Sequence, residues 1–510
     1  MNRGQMVMQA VSDRTNPIVV KELRQAVQSR LVIAILLLFL LANVFVVGGY
    51  LLVSVDATTS ERGGQDLFIG LFVVLVTTCM VFVPLYAAVR LTMERNDSNI
   101  DLLFITTIAP SAIIRGKFWA AVALTGLIYS AAMPYLTLTY LLRGIDLPSI
   151  FFALGIAFLC TAIVTMLAIF VGSIAGGMLL RILMLGILLW LGGCMLAWTI
   201  MFGLTTVEMG LASMLADAGA WTGLSVSLLV GLATWGLLYL LAVAAVSARS
   251  SNRMFPVRVL VTVCWAIFGV VAAICSLYYT SEDPMLIWVV GSMSVLSVAV
   301  GFVLAERESW TPRVRRYIPR ANPGRFVAWL FYTGSAGGVV WCGLLSAATL
   351  LAGYALVGDF TPISGRRSEA KEVLQTMLGV VLFAWCYGMS GLLVRRIFFP
   401  RSVPLVGTTV GLALMGIGGT LPLLFSYLIH GPNWQFASLP VVFAIFNPLV
   451  LQRTGADQVF VFFFLVVWGT VGLVVNLPWF YQQWHAFRRH ELKPIPPAES
   501  LAEQPSVVHV

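Results

Sequence analysis

Four histidines (His430, His485, His490 and His509), seven cysteines and 22 carboxylates are the side chains with which this 510-residue chain could do acid–base, nucleophilic or metal chemistry. General acid–base work needs two titratable groups within hydrogen-bond reach, and a zinc-protease helix would carry H-E-x-x-H. Neither arrangement is legible: the histidines fall in loops or the tail and read as surface or interfacial groups. Cys79, Cys160, Cys194, Cys264, Cys275, Cys342 and Cys386 all sit in apolar runs without metal-ligand spacing, as small core hydrophobes do. There is no G-x-x-x-x-G-K-[ST] phosphate loop. The sequence therefore offers no catalytic, metal-binding or cofactor-binding constellation, and the chain is not expected to be an enzyme.

The charges that remain are informative by position. All 31 basic and 22 acidic side chains lie in tails, connecting loops or the ends of hydrophobic runs. A secondary carrier or proton pump normally needs ionisable groups inside its bundle, so ion-driven transport is disfavoured. A composition 59% apolar and 10% charged, with mean hydropathy +0.93, is that of an integral membrane protein. The net charge of +9 is dispersed over loops, which reads as membrane topology rather than nucleic-acid binding.

Hydropathy places twelve spans, near Leu31–Val55, Leu67–Val89, Phe118–Leu142, Ile150–Ile174, Ile182–Phe202, Trp221–Val246, Val259–Tyr279, Met285–Ala305, Phe326–Leu356, Val373–Val394, Leu405–Leu428 and Val459–Leu477. The apolar stretch 439–450 is short and interrupted by Pro440 and Pro448, as a re-entrant or interfacial element would be. With both termini cytoplasmic, only Arg62, Arg143, Arg366, Arg367, Lys371 and Arg453 of the 31 bases fall outside. The expected fold is thus an all-α polytopic membrane protein in the plasma (inner) membrane. Residues 1–30 form a basic tail and amphipathic helix, 31–250 a six-span domain, 251–480 a second six-span domain, and 481–510 a polar tail. Gly172 and Gly176, Gly334 and Gly338, and Gly407 and Gly411 have the four-residue spacing of close helix packing.

Two segments stand out from this background. In 16–30, NPIVVKELRQAVQSR, Asn16 can cap a helix with Pro17 in its first turn. Val19, Leu23 and Val27 then share a face, as in a helix lying in the membrane surface; an ordinary basic lead-in fits the pattern equally. The loop 90–117, RLTMERNDSNIDLLFITTIAPSAIIRGK, is too apolar for a solvated connector and too broken to span. Asp97 or Ser98 can cap a short helix bearing Ile100, Leu102, Leu103 and Ile105, and Pro110-Ser111 opens a second that runs through Lys117 into the third span. Such a pair is either a docking surface or a connector lying flat on lipid.

These two segments resemble those of type-2 ABC-transporter permeases, the membrane subunits of one class of exporters. Asn16-Pro17 and Lys21-Glu22-Leu23-Arg24 match that family's elbow helix. Glu94, Leu102-Leu103, Thr106-Thr107, Pro110-Ser111 and Gly116-Lys117 match its coupling loop in order and rough spacing, with Ser98-Asn99 where the family usually has Gly-Thr; Asp101 falls in the same loop as a further docking candidate. The resemblance covers about residues 16–250. It implies an elbow helix carrying Lys21, Glu22 and Arg24, and a coupling helix between the second and third spans that docks on a separate ABC ATPase subunit. ATP and magnesium would then be bound by that partner, and this chain would hold no cofactor of its own. Membrane lipid would be a further partner, with a homodimer or a second permease subunit completing the assembly and no nucleic acid involved.

Permeases of this class usually have six spans and work in pairs, so twelve spans raise the question of a fused pair. The loop between the eighth and ninth spans opens Glu306-Arg307-Glu308-Ser309 and ends Gly324-Arg325-Phe326, beside Glu94-Arg95 and Gly116-Lys117-Phe118 in the first half. It has no Leu-Leu pair and more arginine. A fused pair and a separate six-span appendage both fit this. The competing functional classes are a twelve-span secondary carrier, and a polytopic membrane enzyme or scaffold.

Overall fold

The computed structural model describes residues 17–53, 63–96, 109–142, 145–174, 178–248, 251–306, 308, 310–356, 366–398, 405–431, 440–452 and 455–489. Every regular element among them is helical. Eleven helices are long and apolar enough to cross a membrane, so the chain is an all-α polytopic membrane protein. A further helix, Leu405–His430, covers the remaining expected span. The chain divides into two compact units, Met1–Ala248 and Arg249–Val510.

In the first unit, α1 (Pro17–Val27) leads into α2 (Arg30–Val53), the first span. The second span is α3 (Gly63–Thr77), continued through a π-helical turn at Thr78–Phe82 into α4 (Val83–Asn96). Then come α5 (Pro110–Leu141), α6 (Leu147–Ser173), α7 (Met178–Met209), the short α8 (Leu211–Ala216) and α9 (Ala218–Val246). Pro110 begins α5, where its missing N–H has no helical partner to lose. Asp146 caps α6 by accepting from Ser149 N at 3.0 Å, and Asp217 caps α9 by accepting from Gly219 N at 3.1 Å. Helices in lipid associate through close packing rather than through a hydrophobic driving force. Accordingly α6 buries Ala153, Ala157, Ala168 and Gly172. A Cβ on Gly172 would sit 2.8 Å from the carbonyl oxygen of Ala88, so only glycine lets α6 approach α4 this closely.

In the second unit, α10 (Phe255–Tyr279) and α11 (Asp283–Leu304) are followed by two short helices, α12 (Pro312–Arg315) and α13 (Asn322–Phe331). The remaining elements are α14 (Ser335–Leu356), α15 (Arg366–Phe398), α16 (Leu405–His430), α17 (Val441–Ala444), a 3₁₀ turn at Pro448–Gln452, and α18 (Ala456–Ala486). The span expected over Phe326–Leu356 is therefore two helices: it begins only at Ser335, after a break at 332–334. Polar side chains from elsewhere hold that break open. Thr333 N donates to Asn252 Oδ1 at 3.0 Å, and Gly334 N donates to Glu306 Oε2 at 2.8 Å. The 440–452 segment is a pair of short turns that does not span. Tyr387 Oη on α15 donates to Phe446 O, and the Phe446 ring packs edge-on against Phe464 and Trp468 of α18.

Candidate functional site: an ion-paired brace

At one end of the first unit three segments that lie far apart in sequence meet. α1 turns Glu22 and Ala26 toward the bundle, 6% and 4% exposed, while Ile18 packs on the core beside them. Val19 and Leu23 are half-buried and Val27 is 62% exposed, so the apolar face that the sequence sets at the membrane surface is not the one turned to the bundle. A carboxylate leads the packed face because a buried cation waits for it. Lys117, two turns into α5 and 6% exposed, places Nζ 2.7 Å from Glu22 Oε1 and 2.7 Å from Glu94 Oε2 in the last turns of α4. Lys21 adds a looser contact, 3.6 Å from Glu94 Oε1, with its own side chain 59% exposed. Two lysines and two glutamates thus cancel in a cluster joining α1, α4 and α5.

A second tie runs beside it. Arg90 Nη2, one turn before Glu94, donates to Gln25 Oε1 of α1 at 2.6 Å. The Arg90 guanidinium also lies 5.9 Å from the Tyr86 ring centroid. A small cavity lined by Glu22, Ala26, Tyr86, Arg90, Lys117 and Leu124, among others, opens between these helices. Tyr86 Oη and Arg90 Nε are buried next to it without a hydrogen-bond partner.

Of the expected site residues, Lys21, Glu22, Glu94 and Lys117 are brought into one cluster. Pro17 begins α1, Arg24 on α1 is exposed, and Pro110 and Ser111 form the first turn of α5. Asn16, Asp101, Leu102 and Leu103 lie outside the described residues. Gln25, Arg90 and Tyr86 were not anticipated. The signal for Arg90 was its four-residue spacing from Glu94, which puts both on one helix face.

The second unit contains a more sealed polar knot that the sequence did not announce. Arg258, in the first turn of α10 and 2% exposed, places Nη2 2.6 Å from Glu306 Oε2. Its Nη1 donates to Leu330 O and Tyr332 O, each at 2.7 Å, and its Nη2 to Gly334 O at 2.9 Å. Glu308 Oε1 accepts from Ala336 N at 2.7 Å and from Ser335 Oγ at 2.5 Å, which anchors the start of α14. Burial pushes the Glu306 and Glu308 carboxyls above the usual carboxylate range, against the pull of the Arg258 guanidinium. Glycines make the room. A Cβ on Gly337 would meet Trp329 O, and one on Gly338 would meet the Arg258 guanidinium.

Among the described residues, no group of three or more His, Cys, Asp or Glu side chains is placed to hold a metal ion. What ion-paired clusters do well is fix helix ends to one another so that they move together. Comparison with protein-family models, with curated proteins and with solved structures finds no match for this chain.

Proposed function

We propose that this chain is the membrane-spanning permease of an ATP-driven ABC transporter, working as an exporter with a separate ATPase subunit that binds ATP and magnesium. The observation that carries the reading is the Lys117 cluster. It joins Glu22, in the segment that resembles an elbow helix, to Glu94 and Lys117, which bracket the segment that resembles a coupling loop. That loop leaves α4 at Asn96 and returns at Pro110. A partner pressing on it would act on both ends at once, and the ion pairs would carry the displacement into the second span, the third span and α1 together. The exposed Val27 side of α1 would rest on lipid at the cytoplasmic surface of the inner membrane, with both termini on that side.

Charge-free span interiors support an ATP-driven rather than an ion-driven device, because no relay through the bundle is then required. The test is the double substitution Leu102→Arg, Leu103→Arg in the full chain. Membrane insertion is expected to be unchanged, and the ATPase, identified by its phosphate-loop peptide and magnesium-dependent ATP hydrolysis, is expected to be lost from the purified complex. Full retention of that ATPase by the double variant would sink the assignment.

A further inference from the structure

The two units repeat one arrangement of helices. In the first, the second span (α3 with α4) packs on the first, third, fourth and fifth spans, and the fourth (α6) packs on the third, fifth and sixth. In the second, taken by itself, the second span (α11) packs on α10, α14, α15 and α16, and the fourth (α15) packs on α14, α16 and α18. The third span touches the sixth in both. The first and third also meet in both, in the second unit through Trp265 Nε1 to Thr349 Oγ1 at 2.8 Å and Trp341 Nε1 to Thr262 Oγ1 at 3.0 Å. Neighbours in sequence often pack together, but the pairs second–fourth, second–fifth, third–sixth and fourth–sixth are not dictated by adjacency.

The peripheral helix recurs as well, by a different connection. α1 packs on the third span and the first; α13 packs on α14 and α10, the third and first spans of its own unit. α1 precedes the first span and α13 precedes the third, yet the sequence carries an Asn-Pro pair at the start of each segment, Asn16-Pro17 and Asn322-Pro323. A glutamate at the end of the second span holds a buried base in each case. Glu94 holds Lys117, which reaches Glu22 on α1; Glu306 holds Arg258, which reaches Leu330 O and Tyr332 O at the end of α13. The parts are the same and their sequence sources are exchanged: the base comes from the third span in one unit and from the first in the other.

We infer that the chain is a tandem duplication of one six-helix unit, each with its own braced peripheral helix, and that a single copy supplies both halves of the transporter. The second unit is a diverged partner rather than an appendage. Its stretch from Trp310 to Phe331 carries Arg313, Arg315, Arg316, Arg320 and Arg325 with no acidic residue, so the two halves present different chemistry. Internal repeats of this kind are a common way to build transporters. The consequence for assembly rests on the permease reading above; the duplication itself does not.

The experiment is native mass spectrometry of the full-length chain, tagged and purified from its own membrane into lipid nanodiscs without added nucleotide, with single-molecule photobleaching of one dye per chain. One chain with two ATPase subunits and a single bleaching step is the expected result. Two chains with two ATPases overturns the inference, because each chain would then act as one half. One chain with one ATPase also overturns it, by making the second unit an appendage. Those two outcomes leave the permease reading standing. A complex with no ATPase removes that reading, and the inferred pairing with it.

Discussion

Lys117 shows what a single residue contributes here. Its ammonium is buried between Glu22 and Glu94, so taking it away leaves two carboxylates facing each other with little water to screen them. Breaking a buried ion pair by removing one partner costs about 3–5 kcal/mol. Lys117→Ala is expected to lower the thermal midpoint of the detergent-solubilised protein markedly, followed by tryptophan fluorescence, while Lys117→Arg keeps the charge and most of the stability. Lys21 is the internal contrast. Its side chain is 59% exposed and 3.6 Å from Glu94, and exposed pairs contribute about 0.2–1 kcal/mol, so Lys21→Ala is expected to move the midpoint little. Equal losses for the two alanine variants would show that burial is not what gives the cluster its strength.

Elements are where the sequence was most and least legible. Long apolar runs located eleven of the twelve expected spans and their approximate bounds, and Pro110 marked the start of α5 because proline at a helix start leaves a signature that tertiary packing does not erase. The face of α1 that packs on the bundle was not legible, since periodicity picks out Val19, Leu23 and Val27 and has no knowledge of a lysine 95 residues from Glu22. The break at 332–334 was missed for a similar reason. Phe326–Leu356 reads as one apolar run, and the groups that open it, Arg258 and Glu306, come from other elements. Gly338 tests this account. Alanine there would drive its Cβ into the Arg258 guanidinium and Val303, whereas Gly291, in the middle of α11, has nothing within 4 Å. Overpacking costs about 1–3 kcal/mol, while alanine in a helix interior is favoured over glycine by about 1 kcal/mol. Gly338→Ala is therefore expected to lower the thermal midpoint, and Gly291→Ala to hold or raise it. A stable Gly338→Ala protein would mean that the Arg258 knot tolerates displacement.

On the scale of the whole molecule, the path of the chain through the membrane turns on one short segment. Residues 440–452 are apolar enough to be mistaken for a span, and if they crossed, Arg488 and Arg489 would end on the opposite side from the Arg-rich stretch 313–325. The fold argues against a crossing. Val441–Ala444 and Pro448–Gln452 are single turns, with Ala444, Asn447, Val450 and Leu451 buried against their own unit. A lipid-exposed break in the backbone would leave polar groups unpaired, whereas one buried in protein can find partners such as Tyr387 Oη for Phe446 O and Asn447 Oδ1 for Leu449 N. If α16 crosses and this segment does not, the spans number twelve and the bases at both ends would obey the positive-inside bias. Reporter fusions after Arg489 and before Pro17 are both expected to read as cytoplasmic, and a fusion within 357–365 as external. A fusion after Arg489 that reads as external would mean that 440–452 spans or that α16 does not, and the second unit would then hold an odd number of crossings. That outcome would also break the correspondence between the two units, because the sixth span of the second would run in the opposite direction to the sixth of the first.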